Sequence, residues 1–175
     1  MDRSRKLLII LFVVLAYTGA VKAEGENVMK ITCPAFIHNT FMPLKYSCEG
    51  DGVSPELIIE GVPTKAKSLA LIVDDPDAPA GTWVHWVVFN IPVIGRIEEN
   101  SLPGKLGVTT SGGREYNSPC PPSGTHRYYF KIYALDTLLD LEEGVSNIQL
   151  EGAMKGHILD KAELIGLYKK GEGRL

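Results

Sequence analysis

The amino-acid sequence predicts a mostly β fold with one or two peripheral helices in a single domain. Eight short segments are rich in β-branched and aromatic residues, and Gly, Pro, Asn or Asp separates them, as is typical of strands joined by turns. A clear helix signal comes only late in the chain, which favours an all-β fold or an α+β fold with helices at the periphery. With 175 residues, the chain is long enough for one domain with its own core.

The predicted strands follow one another along most of the chain. Leu69–Val73 is a continuous apolar run, which predicts a central strand buried on both faces. Strict alternation in the next strand predicts His85, Val87 and Phe89 on one face and their neighbours on the other. The complete set of predicted strands is Val28–Thr32, Leu44–Tyr46, Leu57–Glu60, Ser68–Asp74, Val84–Ile91, Leu106–Thr109, Arg127–Leu135 and Leu164–Lys169.

One helix is predicted to begin just after residue 145. Ser146 and Gln149 have the spacing of a capping box, in which the serine hydroxyl accepts from the Gln149 amide and the Gln149 side chain reaches back to the Ser146 amide. Val145 and Ile148 begin an apolar stripe, and Gly156 marks a helix end. This helix should therefore pack on the sheet by one face.

The first 23 residues have the pattern of a signal peptide. Three basic residues within the first six precede an apolar run, Leu7–Tyr17, and Val21 and Ala23 occupy the two positions that a signal peptidase reads. A spanning helix needs about 20 apolar residues, so this run favours cleavage over the alternative of a retained N-terminal anchor. We therefore expect an exported protein, periplasmic or extracellular, with a flexible segment at 24–30, a folded domain over 31–175 and no stable membrane insertion after cleavage.

The charge of the chain limits its partners. The formal charge is −3, and cleavage after residue 23 would leave 14 basic and 20 acidic residues, a charge of −6. An acidic protein is a poor general binder of nucleic acid or of anionic membrane surfaces. Any anion that it binds must therefore be held by local groups.

The three cysteines are far apart in the sequence. Cys33, Cys48 and Cys120 do not have the spacing of a metal site. Export would permit a disulfide, and three thiols allow three single pairings with one cysteine left over. The residues alone leave the pairing open.

Polar clusters next to predicted strands are candidates for a binding site. The Asp74–Asp77 segment follows the central strand, with an ordinary Asp/Pro turn as the alternative. His85 lies eight residues after Asp77, and a hairpin-like return would let that carboxylate fix the imidazole tautomer and raise its pKa. The alternative is a buried structural histidine. His126 opens a later strand, and alternation puts Tyr128 on the same face.

The long connection from Gly95 to Gly124 is rich in glycine and proline. A connection of that length with one weak strand is usually either disordered or functional. Because prolines restrict its backbone, we predict a fixed loop that borders a site.

Three motifs occur in a specific order along the chain. They are Asp75-Pro76-Asp77-Ala78-Pro79, Trp83-Val84-His85-Trp86 and Gly124-Thr125-His126-Arg127-Tyr128. With segments 45–50, 54–57, 156–159 and 167–169, this set resembles the phosphatidylethanolamine-binding protein family, most closely its bacterial and archaeal Raf-kinase-inhibitor-like branch. The resemblance spans about residues 31–170. One departure is that animal members carry two adjacent histidines, whereas Val84 precedes His85 here.

The resemblance implies a β-sandwich-like fold with a large central sheet and a pocket for phosphate-like anions or small carboxylates. It also implies that Cys48 and Cys120 approach each other near the pocket, leaves open whether they bond, and gives no place to Cys33. Pro79, Pro121 and Pro122 would form the pocket rim. The implied ligand-binding residues are Asp75, Asp77, His85, His126 and Tyr128.

These observations predict a binding or regulatory protein that needs neither a cofactor nor a metal. Its pocket would take a phosphate-type or phosphoethanolamine-type group, and Asp75 and Asp77 would accept from loop amides and from an imidazole. Binding would strengthen at mildly acidic pH, where histidines are charged. The partner would be a phosphate-containing small molecule, a lipid head group or a protein that it modulates.

Other functions remain as alternatives. A small hydrolase would use the His/Asp pocket with water, Ser123 or Cys120, although no nucleophile-elbow motif is present. A secreted protease inhibitor would fit the same fold. A zinc site is a further alternative, because its ligand types are those of Asp75, Asp77, His85 and His126. The oligomeric state is not determined by the sequence.

Overall fold

A computed structural model describes residues 28–171 of the chain. The predicted signal peptide at 1–23 and residues 24–27 of the predicted flexible segment lie outside the described residues. Between residues 28 and 171, no helix is long and apolar enough to span a membrane. The elements in chain order are β1 (Lys30–Thr32), β2 (Thr40–Phe41), a 3-10 turn (Leu44–Tyr46), β3 (Leu57–Glu60), β4 (Ser68–Asp75), β5 (Trp83–Ile91), β6 (Arg96–Ile97), β7 (Lys105–Leu106), β8 (His126–Leu135), α1 (Asn147–Met154) and β9 (Ile158–Tyr168).

The strands form two sheets. The larger sheet has six strands in the order β2-β9-β8-β4-β5-β7, and its pairs are antiparallel except for the parallel β2–β9 pair. The smaller sheet has three antiparallel strands in the order β1-β3-β6. The mostly β fold with a large central sheet is therefore confirmed, with α1 as the α-helix of the described region.

Strand β4 separates two hydrophobic cores. Leu69, Leu71 and Val73 pack in the inter-sheet core, which lies between the larger and smaller sheets. Ala70 and Ile72 point to the opposite face and pack in the helix-side core, which lies between the larger sheet and α1. All eight residues of β4 are buried, so the prediction of a central strand buried on both faces is confirmed.

Helix α1 has the predicted N-terminal cap. The Ser146 hydroxyl accepts from the Gln149 amide at 3.2 Å, and Gln149 Oε1 accepts from the Ser146 amide at 2.8 Å. Leu150 and Met154 are the buried residues of the helix and close the helix-side core. Gly156 follows in the left-handed region, with a φ of 86°, as expected for a residue just past a helix end.

The predicted strand Leu44–Tyr46 is wrong, because these residues form a 3-10 turn. Pro43 precedes them, and its carbonyl accepts from the Tyr46 amide at 3.2 Å. The Tyr46 hydroxyl donates to Glu99, which fixes the turn against a distant loop. Three residues are too few for alternation to distinguish a strand from a turn.

Other strand boundaries also differ from the prediction. The predicted strand Leu106–Thr109 is shorter in the structure, where β7 ends at Leu106. A Cβ at Gly107 would lie 2.5 Å from the Val145 carbonyl and from the Val87 side chain, so the chain leaves the sheet at a tight backbone contact. Two-residue strands such as β2 and β6 carry no usable periodicity, and the sequence did not indicate them.

Candidate functional site

A cavity of about 380 Å³ opens at one end of the larger sheet. Three central strands converge there: Asp75 ends β4, Trp83 begins β5 and His126 begins β8. The polar side chains of these strand ends form one part of the cavity wall. The turn after β4 and the loop before β8 form the rest.

A β-bulge interrupts the pairing of β4 with β5 beside the cavity. The register passes from the pair Val73–Trp86 to the pair Asp74–Val84, so His85 has no partner on β4. A bulge of this kind bends its strand and re-aims a side chain.

The bulge places His85 on the cavity side of the larger sheet. Val84 packs with Val87 and Phe89 in the helix-side core. His85 instead lies edge-on to the Tyr128 ring, with centroids 5.1 Å apart, and lines the cavity. The prediction that His85 shares a face with Val87 and Phe89 is therefore wrong, because it assumed an uninterrupted strand.

His85 is held by the backbone of Asn117. Its Nδ1 lies 2.5 Å from the Asn117 carbonyl oxygen, and the Asn117 amide donates to the His85 carbonyl at 2.8 Å. A carbonyl only accepts, so Nδ1 carries the proton and Nε2 is left with a lone pair when the ring is neutral. Burial lowers the pKa of His85, although the hydrogen bond to Asn117 opposes the shift. The predictions that Asp77 fixes this tautomer and that the pKa is raised are wrong.

His126 is held by a carboxylate. Its Nδ1 lies 2.7 Å from Asp75 Oδ2, and both side chains are buried. The other oxygen of Asp75 accepts from the Asp77 amide at 2.8 Å, so one carboxylate fixes both the imidazole and the turn after β4. As expected from the sequence, Asp75 accepts from an imidazole and from a loop amide. The Nε2 atom of His126 has no hydrogen-bond partner among residues 28–171 and remains for a ligand.

Asp77 does not line the cavity. Its carboxylate binds Arg127 through two side-chain hydrogen bonds, of 2.9 Å to Nε and 2.7 Å to Nη2, and also accepts from the Arg127 amide at 2.9 Å. These bonds lower the pKa of Asp77 to about 2. The sequence prediction put Asp77 inside the pocket, but the structure assigns it to fixing the turn onto β8.

Tyr128 closes the inner end of the cavity. The residue is fully buried, and its hydroxyl has no hydrogen-bond partner within the described chain. Burial raises the pKa of this hydroxyl, so it stays protonated and can donate. A buried hydroxyl without a partner is costly.

The predicted rim prolines all lie at the cavity. Pro79 comes from the turn after β4, and Pro121 and Pro122 come from the loop before β8. Trp83 and Ala78 add further apolar surface. The cavity therefore combines a polar inner wall with a mainly apolar mouth.

A disulfide joins Cys48 to Cys120 beside the cavity. Their Cα atoms are 5.4 Å apart, and Cys120 itself lines the cavity. This resolves the pairing that the sequence left open. Cys33 is the remaining cysteine, a buried free thiol whose pKa is raised by burial.

Sequence reasoning missed Asn117 as a site residue. Asn117 lies in the long loop, outside any strand or helix, so no periodicity predicts where its side chain points. Its side chain donates to the Ser111 hydroxyl at 2.8 Å, which ties two turns of that loop together. A possible signal was the Asn-Ser pair next to the proline-rich segment, but such pairs are common in ordinary turns.

The ionisable groups do not form a recognisable metal centre. Within residues 28–171, no group of three or more His, Cys, Asp or Glu side chains is arranged to hold a metal ion. Asp77 binds Arg127 outside the cavity, so the four residues proposed as zinc ligands do not all meet at one point.

Comparisons with known proteins agree with this architecture. The model of the phosphatidylethanolamine-binding protein family matches residues 32–169. The chain belongs to the phosphatidylethanolamine-binding protein family. Family membership confirms the resemblance that the motifs indicated, including its bacterial and archaeal branch.

Relatives of similar length occur in archaea and bacteria. A UPF0098 protein of Methanothermobacter thermautotrophicus is 50% identical over 151 residues, which are 82% of this chain and 100% of the relative. A UPF0098 protein of Pyrococcus abyssi is 44% identical over 174 residues, which are 93% of this chain and 96% of the relative.

Two crystal structures share the fold of this family member. A Chlamydia trachomatis protein, described as a homologue of phosphatidylethanolamine-binding proteins, superposes with a TM-score of 0.80 at 47% identity and covers 82% of this chain and 99% of its own. Escherichia coli YbcL, described as a member of the mammalian family, superposes with a TM-score of 0.75 at 27% identity and covers 81% of this chain and 98% of its own.

Proposed function

We propose that this family member is an exported binding or regulatory protein whose cavity holds a phosphate-type or phosphoethanolamine-type group. One observation carries the proposal. His85 and His126 are each anchored through Nδ1, to Asn117 and Asp75 respectively, and both line the same cavity. Two imidazoles fixed in this way present their Nε2 atoms to a ligand with no need to reorganise.

The two rings offer different groups to a ligand. When His126 is protonated, its Nε2 can donate to a ligand oxygen while Nδ1 keeps its bond to Asp75. His85 is neutral with a free lone pair on Nε2, so it accepts from a donor on the ligand, such as an ammonium or a phosphate hydroxyl. The Tyr128 ring packs edge-on against His85 and supports that wall of the cavity. This pattern suits a zwitterion or a singly protonated phosphomonoester.

The charge of the site sets a modest affinity. No lysine or arginine of the described chain lines the cavity. Arg127 binds Asp77 outside it. A phosphate dianion would therefore meet one charged imidazole at most, against an acidic protein. We infer that the partner carries a single net negative charge or none.

The apolar mouth indicates a ligand with more than a bare phosphate. Pro79 and Pro122 are exposed and Trp83 is half-buried where they line the cavity of about 380 Å³. Cavities that hold small organic ligands begin at about 300 Å³. A phosphoester would place its oxygens at the imidazoles and its organic group against the prolines and Trp83.

Calorimetric titration with phosphoethanolamine at pH 5.5 and pH 8 tests the proposal. We expect tighter binding at pH 5.5, because a protonated imidazole in the cavity adds a donor and a positive charge beside the ligand. His126→Gln should weaken binding about tenfold or more at pH 5.5, the loss expected for one hydrogen bond to a charged group.

His157→Gln is the matched control for this experiment. His157 also binds an aspartate through Nδ1, Asp136 at 2.9 Å, but it lies at the opposite end of the β8–β9 pair from His126. Its substitution should leave the affinity unchanged. Equal affinity at both pH values, or equal losses in the two variants, would refute the assignment of the site.

A hydrolase remains the second candidate, because the buried Asp75–His126 pair has the geometry of a general base with its orienting carboxylate. We favour binding, because Cys120 is held in the disulfide and Ser123, the other candidate nucleophile, does not line the cavity. Turnover of ester or phosphate substrates that disappears in His126→Gln and persists in His157→Gln would favour the hydrolase.

Export is part of the proposal and rests on the N-terminal sequence. The pattern of residues 1–23 favours cleavage after Ala23. The intact mass of the protein recovered from its native source should correspond to a chain that begins at Glu24. A mass that includes residues 1–23 would favour the retained anchor instead.

A further inference from the structure

The disulfide Cys48–Cys120 is an exposed part of the cavity wall. Both cysteines are exposed to solvent, and Cys120 lines the cavity. Thiol–disulfide exchange requires a thiolate to reach one of the two sulfur atoms. The exposure of this bond therefore leaves it open to attack in the folded protein.

Hydrogen bonds of neighbouring residues hold the Cys48 side of the disulfide in place. The Tyr46 hydroxyl donates to Glu99 at 3.0 Å, and the Glu49 carboxylate accepts from the Tyr168 hydroxyl at the end of β9. These bonds flank Cys48 on both sides and do not depend on its oxidation state. Cys48 is therefore a fixed anchor.

The Cys120 side has few links to the rest of the protein besides the packing of the buried Pro119 and Pro121. Residues 118–125 supply four of the residues that line the cavity. Within the described chain, one hydrogen bond connects this segment to the rest of the protein, from the Cys48 amide to the Pro119 carbonyl at 3.0 Å. The disulfide is the other link, so both links lead to the same anchor.

We propose that Cys48–Cys120 is a thiol–disulfide exchange site that controls the cavity. Reduction frees residues 118–125, opens the cavity wall and lowers the affinity for the ligand. The effect on affinity rests on the proposed function, whereas the release of the segment does not.

The exchange is a two-electron reduction by a dithiol. A thiolate of the reductant attacks one cysteine sulfur and forms a mixed disulfide, which the second thiol of the reductant then resolves. The bond between the two protein sulfurs breaks, both cysteines end as thiols with a proton each, and the reductant leaves as a disulfide.

Release of residues 118–125 should also affect His85, whose imidazole lines the cavity. Asn117 directly precedes residue 118, and its backbone holds both the ring and the carbonyl of His85. A looser segment makes opening of the Asn117–His85 contacts more frequent. The Asn117 amide, which donates to the His85 carbonyl at 2.8 Å, is therefore a probe of the change.

The test compares the oxidised full chain with the same protein treated with dithiothreitol, with two added hydrogens verified by mass. Amide exchange at Asn117 is followed by NMR, with the amides of β4 as an internal control, and the affinity for phosphoethanolamine is measured in parallel. We expect Asn117 to exchange at least about tenfold faster after reduction and to exchange faster than the amides of β4, whose chemical shifts should stay unchanged. The affinity should fall at least about tenfold, and reoxidation should restore both values.

Two variants complete the experiment. The double variant Cys48→Ser/Cys120→Ser should behave like the reduced protein, and dithiothreitol should not change its exchange or its affinity. Cys33→Ala removes the buried free thiol and should keep the full response. Unchanged exchange at Asn117 after complete reduction would overturn the proposal, as would exchange at Asn117 no faster than in β4, which would show that this amide opens only when the whole fold opens.

The affinity measurement separates this proposal from the proposed function. If the oxidised protein does not bind phosphoethanolamine, the ligand assignment fails, and exchange at Asn117 still decides whether the disulfide controls the wall. If the oxidised protein binds and reduction leaves the affinity unchanged, control of the site is refuted.

Discussion

At the scale of single residues, the cavity depends on two imidazoles held by neighbours of different kinds. Asp75 accepts from His126 Nδ1 and fixes the orientation of that ring. The Asn117 carbonyl accepts from His85 and orients the ring while burial favours its neutral form. The same residue type is therefore anchored by a carboxylate on one wall and by a backbone carbonyl on the other.

The lowered pKa of His85 predicts how stability changes with pH. The unfolded chain takes up a proton near pH 6.5, while the folded chain resists protonation until a lower pH. The contribution of His85 is therefore complete above about pH 6.5 and declines as the pH falls toward the pKa of the folded state. We expect His85→Gln to lose less unfolding free energy than the wild type between pH 7 and pH 5, as measured by urea denaturation.

His157→Gln again provides the comparison, because His157 is exposed and remote from the cavity. Between pH 7 and pH 5, the unfolding free energy of His157→Gln should fall as steeply as that of the wild type, because His85 is still buried in this variant. An identical slope in His85→Gln and the wild type would show that the ring is not held neutral in the folded protein.

At the scale of elements, the cavity is built by strand ends, whereas α1 stabilises the opposite face of the larger sheet. Asp75, Trp83 and His126 belong to three adjacent strands. Leu150 and Met154 of α1 pack in the helix-side core. Changes confined to the helix should therefore alter stability without altering ligand binding.

Two substitutions in and beside α1 should have opposite effects on stability. Ser146→Ala removes the cap that accepts from the Gln149 amide and should cost about 1 kcal/mol of unfolding free energy. Gly152→Ala should add about 0.5–1 kcal/mol, because a helical glycine costs entropy and a Cβ there meets nothing within 4 Å. Urea denaturation measures both effects, and a changed affinity for phosphoethanolamine in either variant would contradict the separation of helix and cavity.

At the scale of the whole molecule, the disulfide links two distant parts of the sandwich. It joins residues 72 positions apart, so it limits the unfolded chain as well as fixing the cavity wall. The inter-sheet core and the helix-side core remain intact without it, because neither contains Cys48 or Cys120. Reduction should therefore lower stability while leaving the fold in place.

The double variant Cys48→Ser/Cys120→Ser should lose about 2–5 kcal/mol of unfolding free energy, mainly through the greater entropy of the unfolded chain. Chemical denaturation measures this loss, and circular dichroism checks that the strands remain. A loss well below this range would indicate that the unfolded chain already holds the two cysteines close together.

The sequence by itself determined the features that depend on neighbouring residues. The apolar run at Leu69–Val73 predicted a doubly buried strand, and the spacing of Ser146 and Gln149 predicted the helix cap. The ordered motifs indicated the family and brought His85 and His126 to one proposed pocket, which is where the structure places them. Periodicity and capping act within a few residues, so the sequence displays them directly.

The tertiary structure alone decided the features that depend on distant partners. The bulge that turns His85 depends on how β5 pairs with β4, and its tautomer depends on Asn117 in another loop. Asp77 lies outside the predicted pocket because its carboxylate binds Arg127 on β8. Hydrogen bonds and ion pairs form between whatever groups the completed sheet brings together, and no local pattern in the chain encodes which groups these will be.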